Sequence, residues 1–195
     1  MKISKIILPL VGLCALTSCG TKTSKNNFFE AAKDVESHSY KSYVVKYSEE
    51  SNTGSIETKV SYTFKDNQWD ADQINSYTMS FSTYSSPMVT YADDYETYLD
   101  YYEEDAKSED SNAKIEKEVR YYIKPFKIVV SFNCSYKNEK GSGKELMEIK
   151  EEYNKYGYLT FRESTHEYSQ TKEEDGRKIT KKNKSHSKLE IAYKD

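Results

Sequence analysis

The sequence predicts a mainly β domain of α+β class. The expected form is one curved antiparallel sheet or half-barrel meander of about eight strands, with a short N-terminal helix and one tyrosine-striped helix covering the concave face. Three observations carry this expectation. Apolar side chains alternate at period two through most of the chain, turn-forming residues separate the alternating runs, and only one later stretch switches to helical spacing. Leu, Ile, Val and Phe make up 35 of 195 residues, a low share, and 19 Tyr supply the ring area the aliphatic residues lack. With 29 basic and 32 acidic residues the net charge is −3, so self-repulsion is too weak to keep the chain unfolded. The same figures disfavour a multi-domain enzyme core, a polytopic membrane protein and a strongly basic nucleic-acid binder.

The first element is an address. Lys2 and Lys5 precede an apolar run from Ile6 to Leu16, which is shorter than the ~20 residues a helix needs to span a bilayer and ends in small residues. That order describes an export signal. Leu16-Thr17-Ser18-Cys19, followed by Gly20, resembles the lipobox of bacterial lipoprotein precursors. The resemblance implies removal of residues 1–18, diacylglycerol on the Cys19 sulfur, and a chain held by acyl groups at the extracytoplasmic face of a membrane. More than one acyl chain is what stable anchoring requires. Residues 19–27 then read as the acylated cysteine and a flexible polar tether, and 28–195 as a single domain. Cys14 leaves with the signal, so Cys134 is expected to be a small buried apolar residue rather than half of a disulfide.

Within the domain, Phe28, Phe29, Ala32 and Val35 have helical spacing behind Asn26 and Asn27 as caps, giving a helix over 27–37. Tyr43, Val45 and Tyr47 form a first strand, Asn52-Thr53-Gly54 a turn, and Ile56, Val60, Tyr62 and Phe64 the apolar face of a second strand. Tyr77, Met79 and Phe81 mark a third. The period then changes: Tyr91, Tyr95, Tyr98, Leu99 and Tyr102 line one stripe of a helix over 89–105. After a polar loop at 108–113, alternation resumes at Val119 to Ile123. Pro125 interrupts it, and it continues from Phe126 through Ile128, Val130, Phe132 and Cys134 to Tyr136. Gly141-Ser142-Gly143 reads as a hairpin loop. Met147 to Tyr153 forms the next strand, 154–157 a turn into Tyr158 to Gln170, and Asp175-Gly176 a hairpin into a last strand reaching Tyr193. Long strands with one apolar face need that face covered, and a curved sheet around the tyrosine helix does this. At the level of element order this resembles the LolA-like half-barrel carriers of lipids and lipoproteins in bacterial envelopes. The phrase Tyr153 to Thr160 is similar to a turn in their late hairpins, with Tyr158 where Leu is usual.

Catalytic and metal constellations find little support. His38, His166 and His186 are far apart, no metal-ligand spacing occurs, and the calcium-like run from Asp66 to Asp72 lacks its glycine. That run reads as a loop, with Trp69 anchoring it against the sheet rim. The chain is therefore expected to be non-enzymatic, with no cofactor, no metal and no nucleic acid. The leading expectation is a membrane-anchored surface lipoprotein that binds a lipid or amphiphile in an aromatic cavity lined by Tyr62, Phe64, Tyr91, Tyr95, Tyr98, Tyr102 and Phe132. The alternative is a surface interaction protein with a packed core, contacting a host, wall or membrane-protein partner. Charge is also segregated, nine acids and one Lys over 93–110 against six Lys or Arg and no acid over 177–188. Either the two stretches attract each other across the fold, or the basic one faces anionic headgroups or wall polymer.

Overall fold

The structure, a computed structural model, describes residues 20–33, 38, 40–65, 68–71 and 89–195. The expected signal, Cys19 and the expected strand at Tyr77 to Phe81 lie outside these residues. The described chain is mainly β. Its strands are β1 (Thr21–Thr23), β2 (Ser42–Ser51), β3 (Gly54–Lys65), β4 (Gln68–Ala71), β5 (Lys114–Ile123), β6 (Lys127–Asn138), β7 (Gly141–Tyr153), β8 (Leu159–Glu174) and β9 (Arg177–Lys194). The helices are α1 (Lys25–Lys33) and α2 (Val89–Glu109).

All the strands join one open antiparallel sheet in the order β1-β5-β6-β7-β8-β9-β2-β3-β4, with β1 and β4 as short outer strands. β5 to β9 form a meander as expected, but the N-terminal hairpin joins at the far side, on β9. The reason lies in side-chain register. Tyr43, Val45 and Tyr47 of β2 stand opposite Tyr193, Ile191 and Leu189 of β9, so the apolar halves of both strands fall on one face. Helix α2 makes the connection between the two groups of strands.

Several elements differ from the sequence expectation. Thr21–Thr23 is not tether but pairs with β5, Thr21 opposite Ile123 and Thr23 opposite Tyr121. Helix α1 starts earlier than expected because Ser24 caps it, its Oγ accepting from Asn27 N–H at 3.3 Å and its carbonyl from Phe28 N–H at 3.0 Å. The run at 68–71 is a strand on β3 rather than a loop, with Thr63 opposite Asp70. The β6–β7 hairpin turns at Glu139-Lys140, and Gly141-Ser142-Gly143 lies inside β7. There glycine answers to packing: a Cβ on Gly143 would sit 2.2 Å from the Tyr136 ring, and one on Gly141 2.1 Å from the Thr171 carbonyl oxygen. Helix α2 runs one turn further than its tyrosine stripe suggests, and Ala106 is buried on it.

The core lies on the face of the sheet that receives the helices. Phe28, Ile128, Phe132 and Leu159 are fully buried there, with Val45, Val60, Val130 and Tyr43 close behind. Phe28 of α1 packs its ring against Tyr121 at 5.3 Å and Phe126 at 5.7 Å, which pins α1 to β5 and the β5–β6 turn. Cys134 is buried on β6 as expected.

Candidate functional site

Three regions carry chemistry: the seam between α2 and the sheet, the polar half of the inner face, and the tip of the β8–β9 hairpin. In the seam, Tyr95, Leu99 and Ala106 are buried at helical spacing against β5, β6 and β7, with Tyr102 half-buried among them. Beneath Tyr95 lies Glu151, completely buried on β7. Its carboxylate accepts from Tyr95 Oη and from Tyr153 Oη, each at 2.6 Å, and Arg162 Nε lies 3.7 Å away. Two phenols and a guanidinium thus replace the water this carboxylate loses. Burial and the neighbouring carboxylate push the Tyr153 phenol well above its ordinary pKa. Two turns further along α2, Tyr102 packs on Phe132 at 5.6 Å and hydrogen-bonds Tyr98 at 3.0 Å between hydroxyls.

The rest of the inner face is polar where the strands run past the helix. His166 Nε2 meets Glu145 Oε1 at 2.7 Å, Gln170 donates to Tyr136 Oη at 2.7 Å across Gly143, and Ser164 and Ser187 pair at 2.8 Å. These groups satisfy one another across neighbouring strands. Burial, then the charges of Glu145 and Asp105, push the Cys134 thiol up, away from the thiolate that nucleophilic chemistry needs. Among the described residues no group of three His, Cys, Asp or Glu stands close enough to hold a metal ion.

The hairpin tip is different. β2 stops pairing with β9 at Ser51–Ser185, and β7 stops pairing with β8 at Gly141–Lys172. Residues 177–184 of β9 therefore project with one edge paired to no strand, where the Asn52 amide from the β2–β3 turn donates to the Lys182 carbonyl at 3.1 Å. Arg177, Lys178, Lys181 and Lys182 are exposed there; Arg177 and Lys178 stand opposite Glu174 and Glu173 across the hairpin, whereas Lys181 and Lys182 stand opposite Gln170 and Ser169. Lys137, Lys140, Lys172 and Lys178 line an adjoining cleft of about 210 Å³, together with Glu139 and Glu173. Lysines on such an edge deter self-pairing of strands and leave the surface open to anionic groups. Four described acids of α2 pair elsewhere than with this stretch: Glu96 with Lys25, Asp100 and Glu103 with Lys117, Glu103 with Lys107, and Glu109 with Lys172. Other described clefts are open and charged as well, one of about 440 Å³ lined by Lys46, Glu57, Lys59, Lys188 and Glu190.

Of the residues expected to line an aromatic cavity, the structure packs Tyr102 on Phe132 between helix and sheet, leaves Tyr98 exposed with its hydroxyl on that of Tyr102, and gives Tyr95 to Glu151. The side chains of Tyr62, Phe64 and Tyr91 lie outside the described residues. Sequence reading missed the Glu151 network, because a carboxylate on an alternating strand looks like any solvated one. Its only sequence signal is phase: Glu151 falls in step with Met147, Ile149 and Tyr153. The fold and these surfaces define an open-sheet, mainly β domain with a filled helix–sheet seam and a charged exterior. Comparison with protein-family models, with curated proteins and with solved structures returns no match for this chain.

Proposed function

We propose that this chain is a lipid-anchored envelope protein that acts by contact, presenting its β8–β9 hairpin away from the membrane toward an anionic partner. One observation supports this above the others: Lys181 and Lys182, exposed and facing uncharged Gln170 and Ser169 across the hairpin, lie toward the opposite end of the sheet from Gly20, the residue after the lipobox cysteine. Gly20 lies in the β5–β6 turn region, within reach of Tyr122 and the Pro125 carbonyl. The pairs Tyr122–Lys127, Lys127–Glu152 and Glu152–Phe161 carry that level across to β8. From Phe161 to Glu174 the strand climbs ~43 Å at ~3.3 Å per residue. A photo-crosslinking residue at position 181, in cells producing the full chain, is expected to give a defined adduct. A control at Lys59 is expected to give none. Equal adducts at both positions, or none at either, would refute the reading. Cys19→Ala should release the protein from the membrane fraction, and retention of that variant would remove the anchor from the proposal.

A second reading keeps the amphiphile. Strands of this length twist and curl, and a concave face beneath α2 would give the half-barrel form expected from element order. Tyr98 favours it, being 41% exposed at the flank of the buried helix stripe beside Tyr102, with a ring face and hydroxyl suited to an amphiphile. A lipid co-purifying in native mass spectrometry would decide for it. A bare protein mass would decide against it.

A further inference from the structure

The end of the sheet opposite the basic tip has a chemistry of its own. The β5–β6 turn, the β7–β8 turn and the start of β2 converge there, since Tyr153 N–H donates to the Phe126 carbonyl at 3.0 Å and Lys41 N–H to the Lys194 carbonyl at 3.0 Å. Tyrosines concentrate at this rim. Tyr40 stacks on Tyr193 at 4.7 Å, His38 stacks on Tyr156 at 4.2 Å, and Tyr158 donates to the His38 carbonyl at 2.6 Å. Lysines surround them: Lys155 lies over the Tyr156 ring at 4.7 Å, and Lys41, Lys124 and Lys194 are exposed. Asp195 at this end is held by His38 at 2.5 Å. Half-buried rings with polar tips, ringed by long cationic side chains, suit the headgroup zone of a bilayer, where each part of such a side chain finds its own medium.

The chain enters the domain at this same end. β1 pins residues 21–23 to β5, so a lipid on Cys19 would be separated from the sheet by Gly20 alone. So short a link cannot let the domain rise tens of ångströms from the surface, and it brings the nearest rim down first.

We propose that the rim formed by Tyr40, Lys41, Lys124, Tyr156 and Lys194 rests on an anionic phospholipid surface and sets the sheet upright on the membrane. This builds on the acyl-anchor reading. It moves the membrane contact from the basic stretch at 177–188, where charge counting alone would put it, to the opposite end of the same strands. Lysines near an anionic surface shift the contact equilibrium roughly fivefold each.

The test uses the full acylated chain, purified from a lipidating bacterial host and reconstituted into vesicles with a nitroxide on the lipid headgroup. A fluorophore is attached at Lys155→Cys or, separately, at Glu174→Cys, while the native Cys134 is buried. In phosphatidylcholine mixed with phosphatidylglycerol, the label at 155 is expected to be quenched several-fold more than the label at 174. Replacing Lys41, Lys124 and Lys194 together by Gln is expected to lower quenching at 155 to its value in phosphatidylcholine alone, with an unchanged far-ultraviolet spectrum. Equal quenching at both labels means the domain lies flat and overturns the proposal. Absence of quenching at 155, or no response to the lysine replacements, overturns it too. Mass analysis of the N-terminal peptide separates the two layers: acylated Cys19 with an unquenched 155 label refutes the rim alone, and an unacylated Cys19 refutes the anchor and the rim together.

Discussion

Replacing Glu151 by Ala is the sharpest test of how the helix is tied to the sheet. The wild-type carboxylate is completely buried and accepts from Tyr95 and Tyr153 at 2.6 Å each, with Arg162 at 3.7 Å. A hydrogen bond to a charged group contributes ~1.5–3 kcal/mol. The variant loses two of these and takes the carboxylate away from beside Arg162. Removing one side of a buried charged network costs ~3–5 kcal/mol, and the desolvated donors place this site in that range. For a chain of this size ~1 kcal/mol corresponds to ~2–4 °C in Tm, so Glu151→Ala should melt roughly 6–20 °C lower. Urea unfolding followed by far-ultraviolet circular dichroism gives the free energy directly. Tyr95→Phe in the wild-type background should cost ~1–2 kcal/mol, and in the Glu151→Ala background close to nothing, because the bond it removes is already gone. A cost below ~1 kcal/mol for Glu151→Ala, or simple additivity of the two changes, would refute the account of a network that locks α2 onto β7.

Gly143→Ala forces the Tyr136 ring off β7 and breaks the bond from Gln170. The expected cost is ~1–3 kcal/mol, largely relieved by Tyr136→Ala in the same chain, both read by urea unfolding. At high pH, Tyr102 and Tyr153 have folded pKa values raised above the ordinary 10, mainly by burial. Their neutral forms are favoured by folding, so that stability is fully present below about pH 10 and falls as the pH rises further. Tyrosinate absorbance should therefore show a fraction of rings ionising only together with loss of ellipticity, and ionisation of every ring before unfolding would contradict the buried assignments. At low pH, hydrogen bonds from Lys107 and Lys117 hold the Glu103 carboxyl down to about 2. Its contribution is present above its unfolded value near 4.5 and fades between there and about pH 2. Glu103→Gln should accordingly flatten the acid limb of the Tm–pH curve, measured at low salt, and an unchanged limb would discount the ion pairs. Cys134 should resist thiol reagents in the folded chain and react on unfolding, and fast reaction in the native state would show an opening of β6.

Local patterns were readable where one strand or helix decides its own face. Tyr43 to Tyr47, Phe126 to Tyr136 and the stripe at Tyr95, Leu99 and Tyr102 bury the residues their periods put on the apolar side, because period two and period 3.6 are properties of the backbone. Glycine was harder to read. Gly141 and Gly143 look like a turn, yet they serve a strand that needs no side chain where Tyr136 and Thr171 approach. The aromatic cavity shared that difficulty: Tyr95 and Tyr102 do lie on the sheet side of α2, but whether a ring meets a ligand or another side chain depends on what stands opposite.

By itself, the sequence determined the class and the positions of most strands, since those depend on residues close together in the chain. Tertiary structure alone decided that β2 joins β9, that Glu151 is dry, that Glu96, Asp100 and Glu109 of α2 pair with Lys25, Lys117 and Lys172, and that the basic stretch stands far from Gly20. Each of these is a pairing between residues distant in sequence. Strand register fixes such pairings, and register comes from matching whole faces across the sheet rather than from any one segment.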